Sequence, residues 1–189
     1  MSRIETLARR YGSHIGLPWR SDLAGPERAI FIVYDNADER RLRLRLPDFE
    51  NITRETGHAW LEFDLTAAFA QWMAEVDYRE SYFEEPKDLE LQLDEGFLRH
   101  LSDQVRDVLR SPEADENAVV AIYGVASLFG LVRLSALLKE VERDVRGRLV
   151  VFFPGEHESN TYRLLNARDG WNYLAVPITL NEDRGIYQA

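Results

Sequence analysis

Asp35, Asn36, Asp64, Ser127, Glu156 and Arg163 are the residues of this chain with types and positions suited to joint chemistry. They follow apolar runs that read as strands, so a parallel sheet would gather them on one rim. In open α/β folds ligands bind on that rim, where the strand order reverses. Two or three carboxylates there could hold magnesium for phosphodiester cleavage, because a hard cation prefers oxygen ligands. The same residue types also end strands in order to cap helices and anchor loops, which is the commoner use. The rim therefore has two readings, a metal or recognition pocket or ordinary capping, with Asp35, Asp64, Ser127 and Glu156 as its leading members.

A second candidate is the turn from Gly124 to Gly130 between a strand pattern and a helix pattern. A phosphate-binding loop uses backbone amides to cradle phosphate, a Lys to neutralise it and a Ser or Thr to hold magnesium. Here Leu131 and Val132 stand where Lys and Ser would be needed, so ATP hydrolysis is not expected. Gly124 is read as permitting the turn and Ser127 as capping the following helix, with an anion at the helix amides as the alternative. The third candidate is Glu156-His157-Glu158 with Arg163, Arg168 and Asp169. His157 would serve as a general base if a carboxylate fixed its tautomer. The four histidines, His14, His58, His100 and His157, are scattered, and no nucleophile elbow accompanies them. Arg163 and Asp169 read as a brace for the loop.

The elements that must position these residues alternate between strand and helix patterns, the signature of βαβ units. Strands are expected at 29–34, 58–64, 118–123, 149–153 and 171–178. The first is apolar throughout, as a strand covered on both faces should be. Leu42, Leu46, Phe49 and Ile52 have helical spacing, and Pro47 among them suggests two short helices or one kinked helix. Leu65, Phe69, Trp72, Met73 and Val76 mark a further helix. Asp77 to Leu93 reads as an irregular acidic and aromatic excursion. Asp94 is expected to cap a helix ending before Ser111-Pro112, and Leu128 to Val145 to form one long apolar helix stopped by Gly147. Pro177 places the last strand at an edge or at its own end. Ile4, Leu7, Ala8 and Tyr11 space as an N-terminal amphipathic helix packed on its own domain, docking to another subunit being the alternative. The fold class expected is α/β: a single three-layer Rossmann-like domain over 1–189, with a mainly parallel sheet of about five strands and helices on both faces. Residues 179–189 are expected to be a flexible or partner-bound tail.

With 189 residues and 45% hydrophobic content the chain can build a core without staples. It has no cysteine, which excludes disulfides, thiolate metal sites and cysteine nucleophiles. No apolar run approaches a membrane-spanning length, and a cytoplasmic location is expected. The net charge of −10 is uneven, with 19 acidic against 6 basic residues in 47–118 and a basic excess before it. Such a field repels phosphate backbones, so direct nucleic-acid binding by this chain alone is not expected. It reads as a solvated acidic face or as a docking surface for a basic partner.

One set of motifs is specific. Val151-Phe152-Phe153-Pro154-Gly155-Glu156 is followed by Asn160-Thr161-Tyr162-Arg163 and by Asp169-Gly170-Trp171-Asn172-Tyr173-Leu174. The first part reads as a buried strand stopping abruptly at a Pro-Gly turn. With the strand-Gly-helix unit Ile122 to Arg133, this pattern resembles the BrxB family of BREX phage-defence proteins over most of the chain. The acidic middle third departs most from that family's pattern. The resemblance implies a small accessory subunit of a system that combines host methylation with phage exclusion. It also implies other BREX subunits as partners, the phosphatase-like PglZ component first among them. It carries no catalytic residues, cofactor or metal to this sequence. Within it, Arg163, Trp171, Asn172 and Tyr173 are the expected partner interface, since Trp and Tyr supply much contact energy. The expected function is a non-catalytic scaffold. The alternative is a nucleotide-binding or metal-dependent phosphohydrolase module on the strand-end rim.

Overall fold

Strand β1 (Ala29–Tyr34) is buried at every residue in the computed structural model, which describes residues 1–168 and 170–181. Its side chains alternate between two cores, as a strand's two-residue period requires. Phe31 and Val33 enter one cluster; Ile30, Ile32 and Tyr34 enter the other. The second cluster receives Ile4, Leu7 and Tyr11 from α1 (Arg3–Ile15) and Leu42, Leu46 and Phe49 from α2 (Glu39–Glu55). The first receives residues from α3 (Ala68–Glu75), α6 (Leu98–Arg110) and α7 (Leu134–Val141). Each such buried Leu, Val, Ile or Phe contributes about 1.5–3 kcal/mol relative to exposure. Helices therefore cover both faces of the sheet.

The remaining strands are β2 (Ala59–Asp64), β3 (Ala118–Tyr123), β4 (Arg148–Glu158), β5 (Thr161–Leu164), β6 (Trp171–Asn172) and β7 (Val176–Ile178). The parallel path runs β2-β3-β4-β1-β7, with β5 and β6 added antiparallel to β4. The sheet is thus mixed and has seven strands, not about five. The chain moves one way from β1 to β2 and the other way from β2 through β3 to β4. Crossovers of a single hand moving in opposite directions must pass over opposite faces, and the two clusters record this.

Local sequence explains most boundaries. Ser2 and Glu5 form a reciprocal capping box at the start of α1, with bonds of 3.2 and 2.8 Å. Of the two expectations for Pro47, two short helices or one kinked helix, the structure has a single helix, α2, that continues through it. Pro47 lies on the exposed face, while Leu42, Leu46, Phe49 and Thr53 bury one stripe on both sides of it. The excursion at 77–93 is also corrected. It folds into α4 (Arg79–Glu84) and α5 (Pro86–Gln92), and a π-helical turn, Leu93–Phe97, joins α5 to α6. Asp94 lies inside that turn and caps nothing, because the helical path already begins at Pro86.

Two further expectations give way. The long helix from Leu128 is a 3₁₀ turn at Val125–Leu128, an irregular stretch, and then α7. Gly130 takes φ +77°, a left-handed conformation that interrupts a right-handed helix. β4 does not stop at Pro154-Gly155; it changes partner there. Tyr34 of β1 is paired with Pro154, and the next residue, Gly155, is paired with Leu164 of β5. A Cβ on Gly155 would stand 2.1 Å from the Arg163 carbonyl, so only glycine allows the two backbones to cross so closely. The closing segment is two short strands; β7 carries Pro177 opposite Phe31 at the sheet edge, where a missing donor is tolerated.

Candidate functional site

The parallel strands bring the expected rim residues to one end of the sheet, but in two separate halves. The half over β2 and β3 is closed. Asp64 Oδ1 accepts from the Thr66 amide at 2.9 Å, and Arg43 faces its other oxygen at 3.6 Å. Arg43 also donates to Glu39 at 2.8 Å and to the Thr66 hydroxyl at 2.7 Å, and lies 5.5 Å from the Tyr123 ring centroid. Glu39 in turn accepts from the Tyr34 hydroxyl. Burial first, then Glu39, pushes the Tyr34 phenol well above its ordinary value. The Ser127 hydroxyl faces the Leu65 and Gly124 carbonyls at 2.9 and 2.6 Å. Ser127 therefore ties a turn together and caps no helix, because α7 begins seven residues later at Leu134. Gly124, at φ +76°, leaves no room for a Cβ, which would lie 2.6 Å from the Thr66 hydroxyl.

The half over β1, β4 and β7 is open. A cleft of about 1050 Å³ there is lined by Asp35, Asn36, Glu156 and His157, among others. Asp35 accepts from the Ala37 amide at 2.9 Å, capping the turn that leads to α2, as its position suggested. Arg3 reaches Asp35 at 3.7 Å and the buried Asp38 at 3.3 Å, while Arg41 bonds Asp38 at 3.0 Å. Arg3, Asp38, Glu39 and Arg43 had no motif to announce them; only the return of α1 and α2 to the rim brings them in. Glu156 stands opposite Arg163 in the ladder, with 3.7 Å between their charged groups. The His157 ring packs on its cross-strand neighbour Tyr162 at 4.6 Å. Asp169, read as a partner for Arg163, lies outside the described residues. Among the described residues, no group of three or more His, Asp or Glu side chains could hold a metal ion.

The β4–β5–β6 hairpin is anchored by aromatic packing. Phe31 contacts the rings of Phe153, Tyr162, Trp171 and Tyr173 at centroid distances of 4.6–5.9 Å. Trp171 and Tyr173 are half-buried against this core. The Tyr173 hydroxyl donates to Glu142 at 3.0 Å, and burial followed by that carboxylate raises its pKa strongly. Asn172 and Arg163 remain exposed, and Leu174 beside them is 70% exposed. Sequence reasoning missed the apolar residues of the helical excursion: Tyr78, Phe83 and Leu91 are 65%, 72% and 73% exposed. Their signal was present in that segment, as large apolar side chains without a helical stripe to bury them.

Fold and site together define a mixed α/β protein with a partly closed strand-end rim and large apolar groups held at its surface. Among the described residues, no helix is long and apolar enough to cross a membrane. The family model for the BREX protein BrxB matches residues 61–178. That is more than half of the chain, so the protein belongs to the BrxB family, a component of BREX phage-defence systems. Comparisons with curated proteins and with solved structures found no match.

Proposed function

We propose that this BrxB protein is a non-catalytic accessory subunit that acts by binding other BREX subunits, with the PglZ component as its principal partner. One observation carries the reading: Tyr78, Phe83 and Leu91 project from an excursion rich in carboxylates. Exposed aromatic and aliphatic groups of this size serve as interface anchors. The acidic residues around them, such as Glu80, Glu84, Glu85, Asp88 and Glu90, suit a basic partner and speed its approach. The exposed edge of the hairpin, Arg163, Asn172 and Leu174 supported by Trp171 and Tyr173, is the second contact. The protein would work inside the cell as one domain, with the Rossmann-like sheet as a rigid frame for both surfaces.

Co-purification with the PglZ protein of the same system tests the proposal. Phe83→Ala combined with Leu91→Ala should abolish recovery of the partner while thermal unfolding stays unchanged, since neither exposed side chain belongs to a core cluster. Trp171→Ala should weaken recovery with some loss of stability. Full recovery with the double variant would overturn the excursion as the anchor. The open cleft favours a second reading, a nucleotide-binding or metal-dependent phosphohydrolase module. It requires magnesium- or nucleotide-dependent thermal stabilisation that is lost in Glu156→Ala, and phosphoester hydrolysis by the purified chain.

A further inference from the structure

We propose that a pocket at the opposite end of the sheet, where the strands begin, binds a phosphate group. The pocket, of about 600 Å³, is lined by Arg28, Arg143, Arg146 and Arg148 together with Arg20 and Trp19. Arg20 is neutralised by Asp22 at 2.8 Å. Among the described residues the other four arginines have no ion-pair partner. The guanidinium groups of Arg28, Arg146 and Arg148 are fixed by backbone carbonyls instead. Arg28 donates to Leu23 at 3.1 Å, to Ser21 at 2.9 Å and to Arg146. Arg148 donates to Gly147 at 3.1 Å and Arg20 at 3.3 Å. Arg146 donates to Leu109 and Ser111. Carbonyls position a guanidinium without cancelling its charge.

The geometry leaves donors to spare. A guanidinium carries five N–H groups in a rigid fork that matches phosphate oxygens. Arg148 uses two of its own on carbonyls, and Arg143 makes no hydrogen bond among the described residues. Arg148 is only 8% exposed, and a buried charge without a counterion is costly. Burial and then the nearby Arg28 charge both lower its pKa. An anion in the pocket would relieve that cost. Glu116 and Glu142 also line the pocket, but these two carboxylates face the four arginines, so the lining stays positive. Trp19 offers no platform for a base: His58 stacks on it at 3.8 Å and Arg148 packs over it at 4.7 Å. Recognition therefore ends at the phosphate.

Isothermal titration of the whole chain with inorganic pyrophosphate at low ionic strength tests this, together with the Trp19 indole N–H resonance. The expected result is one saturable site, a shifted Trp19 signal and equal affinity for pyrophosphate and ADP. Arg143→Gln removes no side-chain bond among the described residues and should weaken binding about tenfold; Arg148→Lys, which keeps charge but loses the fork, should do the same. Arg40→Gln, on the exposed face of α2 at the other end of the sheet, should change nothing. Absence of saturable binding, or equal weakening by Arg40→Gln, would overturn the proposal. Binding of ADP more than about tenfold tighter than pyrophosphate would overturn recognition through phosphate alone.

Discussion

The two ends of one parallel sheet solve the problem of charge in opposite ways. Where the strands end, arginines and carboxylates meet: Arg43 joins Glu39 and Asp64, and Arg3 joins Asp35 and Asp38. Where they begin, Arg28, Arg146 and Arg148 rest on main-chain carbonyls. An acidic protein has carboxylates in surplus, yet among the described residues these arginines form no ion pair, even with Glu116 and Glu142 lining the same pocket. The lesson is that net charge does not describe either end. The rim that the sequence marks as chemical is largely neutralised in one half, while the end without a motif holds the unpaired charge.

Four changes would break or sharpen this contrast. Gly124→Ala should have the largest effect, about 3 kcal/mol of lost stability in denaturant unfolding, because a left-handed residue would also collide with Thr66 and Asp64. Arg43→Met should cost about 2 kcal/mol by breaking two ion pairs and the contact with Tyr123 at once. Arg148→Met should change stability by less than about 1 kcal/mol, since an unneutralised buried charge is replaced by an apolar chain of similar size. A loss as large as that of Arg43→Met would show that the charge at the strand starts is balanced within the fold. The smallest effect is one of pH. Burial and then the Arg148 charge hold His14 below its ordinary value of 6.5. The unfolded chain then takes up the proton first, so stability present above pH 6.5 is lost as the pH falls below it. His14→Gln should flatten that part of the melting-temperature profile relative to the wild type.

Much of this was legible from residue order. β1 and β3 stand where apolar runs place them, because strands buried on both faces need no alternation to be recognised, and the half-exposed edge strand β2 also stands close to its expected bounds. Gly124 and Pro177 also kept their expected roles, since each is fixed by backbone geometry alone. Pro154 misled, and Pro47 left two readings open, for a shared reason. A proline removes one donor, and that loss matters only if the position needs it. Pro47 faces solvent while its helix is held by the stripe beneath it; Pro154 lies where one ladder hands over to another. The rim was legible as a set but not as two halves, because the separating residues, Arg3, Glu39 and Arg43, come from helices whose return path no local pattern encodes. The resemblance to BrxB was carried by the Phe153-Pro154-Gly155-Glu156 crossing and its hairpin, and both lie within the matched region.

The position of β1 in the sheet has a consequence for synthesis. Its two neighbours, β4 and β7, belong to the last part of the chain. A ribosome must deliver the chain as far as Pro154 before β1 can complete its ladder with β4. At roughly 5–20 residues per second, this fully apolar strand waits about 6 to 24 seconds with both edges unpaired. The nascent chain thus carries a sticky segment until β4 emerges, and its yield in the cell depends on whatever shields that segment meanwhile.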